Sequence, residues 1–275
     1  RLNIVAEVPL QFSNSFACVV EQNVFGQNIL WAATYGGLFK IDLNTKKSEQ
    51  FISDKNGLLS NQISQLLLDR SGVLWIATDK GLNYHSLKTQ KFNKIFSQKR
   101  FDKDFLEFFN SDVKSIISDD ENSFYLATSE GLFNLTITDG KSSLKKYNEL
   151  NSFNLWSLAK GNDNNLWIGT YGNGLINFNL KTLKPKIIKI TSPTLQTSAL
   201  NYIKSLHQSK NGNLWIGFWG SGLARFDPKT QENKIWINDI NDKRSLSHND
   251  VWALYEDRLG RIWVGTNGGG LNLFI

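Results

Sequence analysis

Short apolar runs, broken by turns rich in Gly, Asn and Asp, fill the chain from one end to the other. Runs of this length bounded by such turns predict β-strands. The pattern also repeats. Six segments share the order apolar, aromatic, apolar, Ala or Gly, then a turn and Gly-Leu. They are ILWAATYGGL from Ile29, VLWIATDKGL from Val73, SFYLATSEGL from Ser123, NLWIGTYGNGL from Asn165, NLWIGFWGSGL from Asn213 and RIWVGTNGGGL from Arg261. The central aromatics Trp31, Trp75, Tyr125, Trp167, Trp215 and Trp263 are spaced by 44, 50, 42, 48 and 48 residues, the period of a four-stranded propeller blade.

Each repeat reads as four strands. Strand A is an apolar run such as VWALYED from Val251. A turn such as Asp257-Arg258-Leu259-Gly260 follows, with Asp to accept a backbone hydrogen bond and Gly to take a positive φ. Strand B carries the aromatic, a Gly-rich turn leads to strand C, and a turn such as Asp227-Pro228-Lys229-Thr230 leads to strand D. The small residue after each strand B aromatic (Ala33, Ala77, Ala127, Gly169, Gly217, Gly265) is expected to let neighbouring sheets approach closely. The chain opens on RLNIVAEV, which matches strand D, and stops after a strand C. That arrangement predicts twenty-four strands in six blades, with the N-terminal strand closing the last blade and removing an open edge. The expectation is therefore an all-β fold: a single β-propeller domain over residues 1–275. Part of a seven-bladed or longer array is the alternative.

Composition narrows the picture without changing it. Of 275 residues, 40% are hydrophobic and 21 are Gly against 4 Pro, which suits a large core of short strands and tight turns. The net charge of +6 comes from scattered Lys and Arg, which argues against nucleic acid as a partner and leaves an acidic ligand open. Cys18 stands alone, so no internal disulfide forms, and its apolar surroundings predict a buried structural thiol. There is no signal peptide and no apolar stretch of membrane-spanning length. The chain starts at Arg1, as expected of a piece of something longer, and its lack of Met has no physical account.

The string Asp257 to Leu271, reading D-x-x-G-x-[LI]-W-[IV]-G-T-x-x-G-G-L, resembles the two-component-regulator propeller repeat. The resemblance covers essentially the whole chain. It implies the periplasmic sensor region of a hybrid histidine kinase of Bacteroidetes-type bacteria, many of which sense glycans. On that footing the chain is extracytoplasmic (periplasmic or extracellular) and any kinase lies in other segments. Contact with a membrane would come only through such segments, and a homodimer would belong to the full-length protein. Similar repeats also occur in exported docking proteins of secretion systems, so a protein-docking scaffold is the second reading. The chain departs from the family in having six repeats where a ring usually has seven.

Strand direction puts the B-to-C turns at the same end as the long, varied D-to-A linkers, and such loops on a rigid scaffold commonly bind. The B-to-C turns carry Tyr35, Asp79, Ser129, Tyr171, Trp219 and Asn267. Tyr171 and Trp219 sit among glycines, where packing gives little reason for a large ring; they either meet a ligand or cap neighbouring blades. Strand A is expected to line the axis. Its second positions are Ala17, Ser64, Lys114, Trp156, Lys204 and Trp252, so two Lys and two Trp should meet at one channel mouth and suit a carboxylated or sulfated ligand. Ordinary solvated side chains are the alternative. The candidate ligand-binding residues are thus Tyr35, Asp79, Lys114, Trp156, Tyr171, Lys204, Trp219, Trp252 and Asn267, for an oligosaccharide, another small acidic ligand or a protein partner. The Asn two residues before strand A (Asn14, Asn61, Asn201, Asn249) is expected to be structural. His85, His207 and His248 fall in different registers without metal-ligand spacing, and no nucleophile elbow or phosphate loop is present. A non-enzymatic chain needing no metal or cofactor is expected, with a propeller lyase or hydrolase the minor alternative.

Overall fold

The computed structural model describes residues 16–24, 27–34, 36–86, 92–94, 107–108, 111–138, 141–162 and 164–274. They form six small antiparallel sheets, the blades of an all-β propeller fold. The first sheet holds β1 (Phe16–Val24), β2 (Gln27–Thr34), β3 (Gly37–Asp42) and β4 (Ser48–Phe51). After a one-turn helix α1 (Ser53–Asn56), the second holds β5 (Ile63–Leu68), β6 (Leu74–Thr78), β7 (Gly81–His85) and β8 (Phe92–Lys94). The third is β9 (Val113–Ser118), β10 (Ser123–Thr128), β11 (Gly131–Thr138) and β12 (Lys141–Tyr147). The fourth is β13 (Leu155–Lys160), β14 (Asn165–Thr170), β15 (Leu175–Asn179) and β16 (Lys184–Ile188). The fifth is β17 (Ile203–Gln208), β18 (Leu214–Phe218), β19 (Leu223–Phe226) and β20 (Asn233–Trp236). The sixth has three described strands, β21 (Val251–Glu256), β22 (Ile262–Thr266) and β23 (Gly270–Phe274). The proposed closing strand near Leu2 to Val8 lies outside the described residues.

The chain divides into two compact units, residues 1–101 with 109–113, and residues 102–108 with 114–275. In the first unit, Trp31, Leu38, Ile63, Leu66 and Ile76 build one core between the first two sheets. Trp31 is covered by Phe51 of its own outer strand and by His85 and Phe92 of the next sheet. In the second unit, three cores separate the third to sixth sheets in turn, centred on Tyr147 and Phe178, on Phe218 and Phe226, and on Val251 and Val264. The first strands of successive sheets touch, β13 against β17 and β17 against β21.

The small residue after the strand B aromatic has the role the repeat implied. A Cβ on Gly217 would come within 2.6 Å of Val251 Cγ1, and one on Gly169 within 2.5 Å of Ile203 Cγ2. Serines at the third position of strand A also join neighbouring sheets: Leu158 N donates to Ser115 Oγ at 3.1 Å, and Ser205 Oγ to Val251 O at 3.3 Å. Trp75, Trp167 and Trp215 are buried, whereas Trp263 is only half-buried. Trp215 lies against Trp236 of its own fourth strand and Phe274 of the next sheet, whereas Trp263 lies under the Arg261 guanidinium at 5.7 Å. The side chain of Cys18 lies outside the described set.

The repeated Asn before strand A is structural where it is described. Asn61 Oδ1 accepts from Ser53 N at 2.8 Å and Asn249 Oδ1 from Asn238 N at 2.6 Å. Asn201 works through its backbone instead, its carbonyl taking Gly172 N and Gly174 N. Asn14 is outside the described residues. No helix among the described residues is long and apolar enough to cross a membrane.

Candidate functional site

Two local features place the candidate side chains. The first is a β-bulge near the start of strand A. In the fourth sheet Leu155 pairs with Thr170 and Ser157 with Gly169, which leaves Trp156 without a partner across the ladder. The same irregularity falls at Lys204 between Ile203 and Ser205, and at Trp252 between Val251 and Ala253. A bulge of this kind re-aims its extra side chain. The second feature is a backbone clip. Tyr171 N donates to Asn154 O at 2.8 Å, Trp219 N to Tyr202 O at 2.9 Å and Asn267 N to Asp250 O at 2.9 Å. Each B-to-C turn residue is thereby held beside the entrance of strand A in its own sheet. Gly222, at φ 84°, gives the turn after Trp219 the left-handed backbone it needs, and its N–H reaches Asn249 O at 2.7 Å.

These two features converge within the second unit. Trp156 lies 4.8 Å from Tyr171 and 5.3 Å from Trp219 between ring centroids; Trp219 lies 6.4 Å from Trp252. Tyr202, which the sequence reading missed, stands edge-on to Tyr171 at 4.8 Å, and the two residues form an isolated β-bridge between neighbouring sheets. Trp219 and Tyr171 remain 43% and 40% exposed, so the cluster presents ring faces to solvent.

Lys204 is enclosed by this wall. Its Nζ sits 4.3 Å from the Trp156 centroid and 4.9 Å from that of Trp252. Among the described residues it has no hydrogen bond or ion pair. Lys114 Nζ approaches the same Trp156 ring at 6.0 Å. Burial drives the Lys204 pKa down to about 8, the Lys114 charge pushes the same way, and Asp250 opposes both. Asp250, also missed from sequence, is 7% exposed; Asn267 Nδ2 donates to its Oδ2 at 3.1 Å, while its buried Oδ1 has no hydrogen-bond partner. Asn267 thus holds Asp250 rather than joining the aromatic wall. The available sequence signal for both missed residues was position: each directly precedes the first strand residue, facing the clipped turn.

Asp79 lies in the first unit, its N–H clipped to Gln62 O at 3.2 Å and its buried Oδ1 without a hydrogen bond. Tyr35 falls outside the described residues. The histidines have separate surroundings. His85 packs at a tilt against Trp31 and Phe92, His207 meets Glu256 Oε2 at 3.2 Å, and His248 Nδ1 accepts Asp250 N at 3.1 Å. No group of metal-ligating side chains occurs among the described residues. A polar cleft of about 460 Å³ opens elsewhere in the second unit, lined by Asp119, Tyr125, Lys160 and several Asn. It lies away from the aromatic cluster, and its Lys160 is already bound to Asp119 Oδ1 at 2.9 Å.

Comparison with known proteins gives a consistent family signal. The model of the family described as two component regulator propeller matches residues 57–80, 149–172, 198–220 and 245–268. Each match runs from a D-to-A linker through strands A and B and ends in the B-to-C turn. No curated protein matches the chain. Among solved structures, the extracellular domain of a protein described as a hybrid two-component system, BT3049 of B. thetaiotaomicron, is similar with a TM-score of 0.72 at 23% identity; the match covers 99% of this chain and 35% of that one. PorZ, a surface component of the type-IX secretion system of Porphyromonas gingivalis, is similar with a TM-score of 0.63 at 14% identity, over 90% of this chain and 37% of that one. Virginiamycin B lyase of Staphylococcus aureus gives 0.60 at 14% identity, over 94% and 88%. At these identities the likeness is one of fold. The chain spans about a third of the first of these structures.

Proposed function

Since this chain carries the repeats of the two-component-regulator propeller family, we propose that it is an extracytoplasmic ligand-binding sensor domain, non-enzymatic in itself, that recognises an oligosaccharide or acidic glycan at the Trp156–Tyr171–Trp219–Trp252 wall. One observation carries the reading. A half-buried ammonium, that of Lys204, sits against two indoles with no hydrogen bond or ion pair from the described residues. An ammonium partly withdrawn from water without an acceptor is costly, and an anionic group on the ligand would supply that acceptor. The exposed faces of Trp219 and Tyr171 suit the apolar face of a sugar ring. In this reading residues 1–275 act as one domain in the periplasm or outside the cell, and signalling passes to other segments of a longer protein.

A thermal-shift and tryptophan-fluorescence screen with neutral and acidic oligosaccharides tests this, because a ligand that binds the folded state raises its apparent stability. Binding should disappear in the Trp219→Ala, Lys204→Ala double variant while the fold is kept. Undiminished affinity in that variant would remove the cluster as the site. A docking role has its own support in Tyr255, Leu259 and Leu271, which leave large apolar side chains exposed on the sixth sheet. A partner docking there would be lost on Leu259→Asp and indifferent to the double variant.

A further inference from the structure

The Lys204 ammonium is unusual in what surrounds it. Two indole faces cover part of it, Lys114 shares the Trp156 ring, and the buried carboxylate of Asp250 is the nearby opposing charge. Among the described residues the strands packed against β17 bring no other charge to this end, and the titratable group beside Asp250 is His248, whose Nδ1 accepts Asp250 N at 3.1 Å. Tyr171 and Tyr202 contribute phenols from the neighbouring turn and strand entrance, and His207 with Glu256 lies at the far end of β17 and β21. The aromatic wall can soften the charge but cannot neutralise it, since a ring quadrupole is a weak substitute for an anion.

We propose that the cluster takes an anionic ligand only together with a proton on Lys204, so that occupancy of the site is coupled to pH on the alkaline side of neutrality. This rests on the ligand-binding reading above and adds a regulatory property to it. In the free protein, burial and Lys114 favour the neutral amine, and the folded pKa is about 8. An anion seated beside Nζ reverses that preference and returns the pKa towards its ordinary value near 10.4. Below the free pKa the amine is already charged and affinity does not depend on pH. Above it the ligand must bring the proton in, and affinity falls about tenfold per pH unit until the pKa of the complex is reached. Asp250 limits the effect: held by Asn267 on one oxygen, it favours the ammonium in the free protein too.

The experiment is an NMR titration of the folded chain with lysine side chains labelled at Cε, alone and with D-glucuronate or, at matched ionic strength, its neutral counterpart D-glucose. One resonance, absent in Lys204→Met, should titrate with a midpoint near the value of about 8, well below the other lysines. Lys114→Gln should raise that midpoint by removing the like charge, and glucuronate should raise it where glucose does not. A Lys204 resonance that titrates with the ordinary lysines, or a midpoint that glucuronate leaves unmoved, overturns the proposal. The ligand-binding reading fails differently. If an acidic oligosaccharide binds through Trp219 and Lys204 with an affinity flat across pH 7 to about 9, coupling is refuted and the site stands. If no oligosaccharide perturbs the indoles at any pH, the site itself is refuted.

Discussion

The Trp75 indole donates through Nε1 to Asp69 Oδ2 at 2.7 Å, six residues back along the chain. The other oxygen of Asp69 takes the backbone N–H groups of Ser71 and Val73, so one carboxylate closes the A-to-B turn and anchors the interblade ring. The sixth sheet repeats the arrangement with Asp257 and Trp263 at 3.0 Å, and the third with Asp119 and Tyr125 at 3.2 Å. In the fifth sheet Ser209 stands where the Asp would be, and the buried Trp215 Nε1 has no hydrogen-bond partner.

Replacing Asp69 by Ala should therefore cost more than an ordinary turn substitution. It removes several hydrogen bonds to a charged acceptor and orphans a buried indole N–H, a loss of about 1.5–3 kcal/mol. Denaturant unfolding of Asp69→Ala beside Ser209→Ala checks this. The Ser209 variant should lose less, because Trp215 has no bond there to give up.

The interblade rings should not be equivalent. Trp167 is buried against Phe226 of the following sheet, so Trp167→Ala is expected to cost about 3–5 kcal/mol. Trp263 is half-buried and should cost clearly less. Equal losses at the two positions would show that burial of the ring does not set the cost.

Acid should reveal the turn carboxylate of the sixth sheet. Partial burial pushes the Asp257 carboxyl up, but hydrogen bonds from Trp263, Arg261 and Leu259 outweigh it and hold the pKa at about 2. The unfolded chain protonates the same group near pH 3.9. The stabilisation is therefore complete above about pH 4 and is lost as pH falls through about 2. The gap in unfolding midpoint between the protein and Asp257→Asn should close over that window.

Lys204 is shifted the same way, but for a cation the shift is a cost where for Asp257 it is a gain. Its folded pKa of about 8 lies below the ordinary lysine value, so between the two the unfolded chain binds more protons and stability rises with pH. Below that window the charged amine is a standing penalty. Lys204→Met should then raise stability at neutral pH, by on the order of 2–3 kcal/mol, and should flatten the alkaline rise. Unfolding curves measured across that range for both proteins check the sign.

The fold was legible because each repeat writes its own punctuation: an aromatic in strand B, a small residue two places on, and glycines in the next turn. The meeting of Lys114, Trp156, Tyr171, Lys204, Trp219 and Trp252 was also legible, since it follows from strand direction and a constant repeat. What escaped depends on single-residue geometry. A β-bulge leaves no compositional mark, so the reason Trp156 and Lys204 leave the ladder could not be read. Tyr202 and Asp250 precede their strands and looked like linker. The second duty of the turn Asp, as acceptor for an indole six residues away, needs the sheet twist to bring the two together. Asn267 had the right position, but its amide serves Asp250.

The bulge in strand A separates what the chain can change from what it must keep. A residue left out of the ladder carries no cross-strand partner, so its size and charge can vary while the pairs on either side stay in register. Ala17, Ser64, Trp156, Lys204 and Trp252 occupy such places, a span from a methyl group to an indole on one backbone design. Specificity in a protein of this kind can therefore be rewritten one socket at a time, by substitution alone, without renegotiating the sheets that hold the sockets in place.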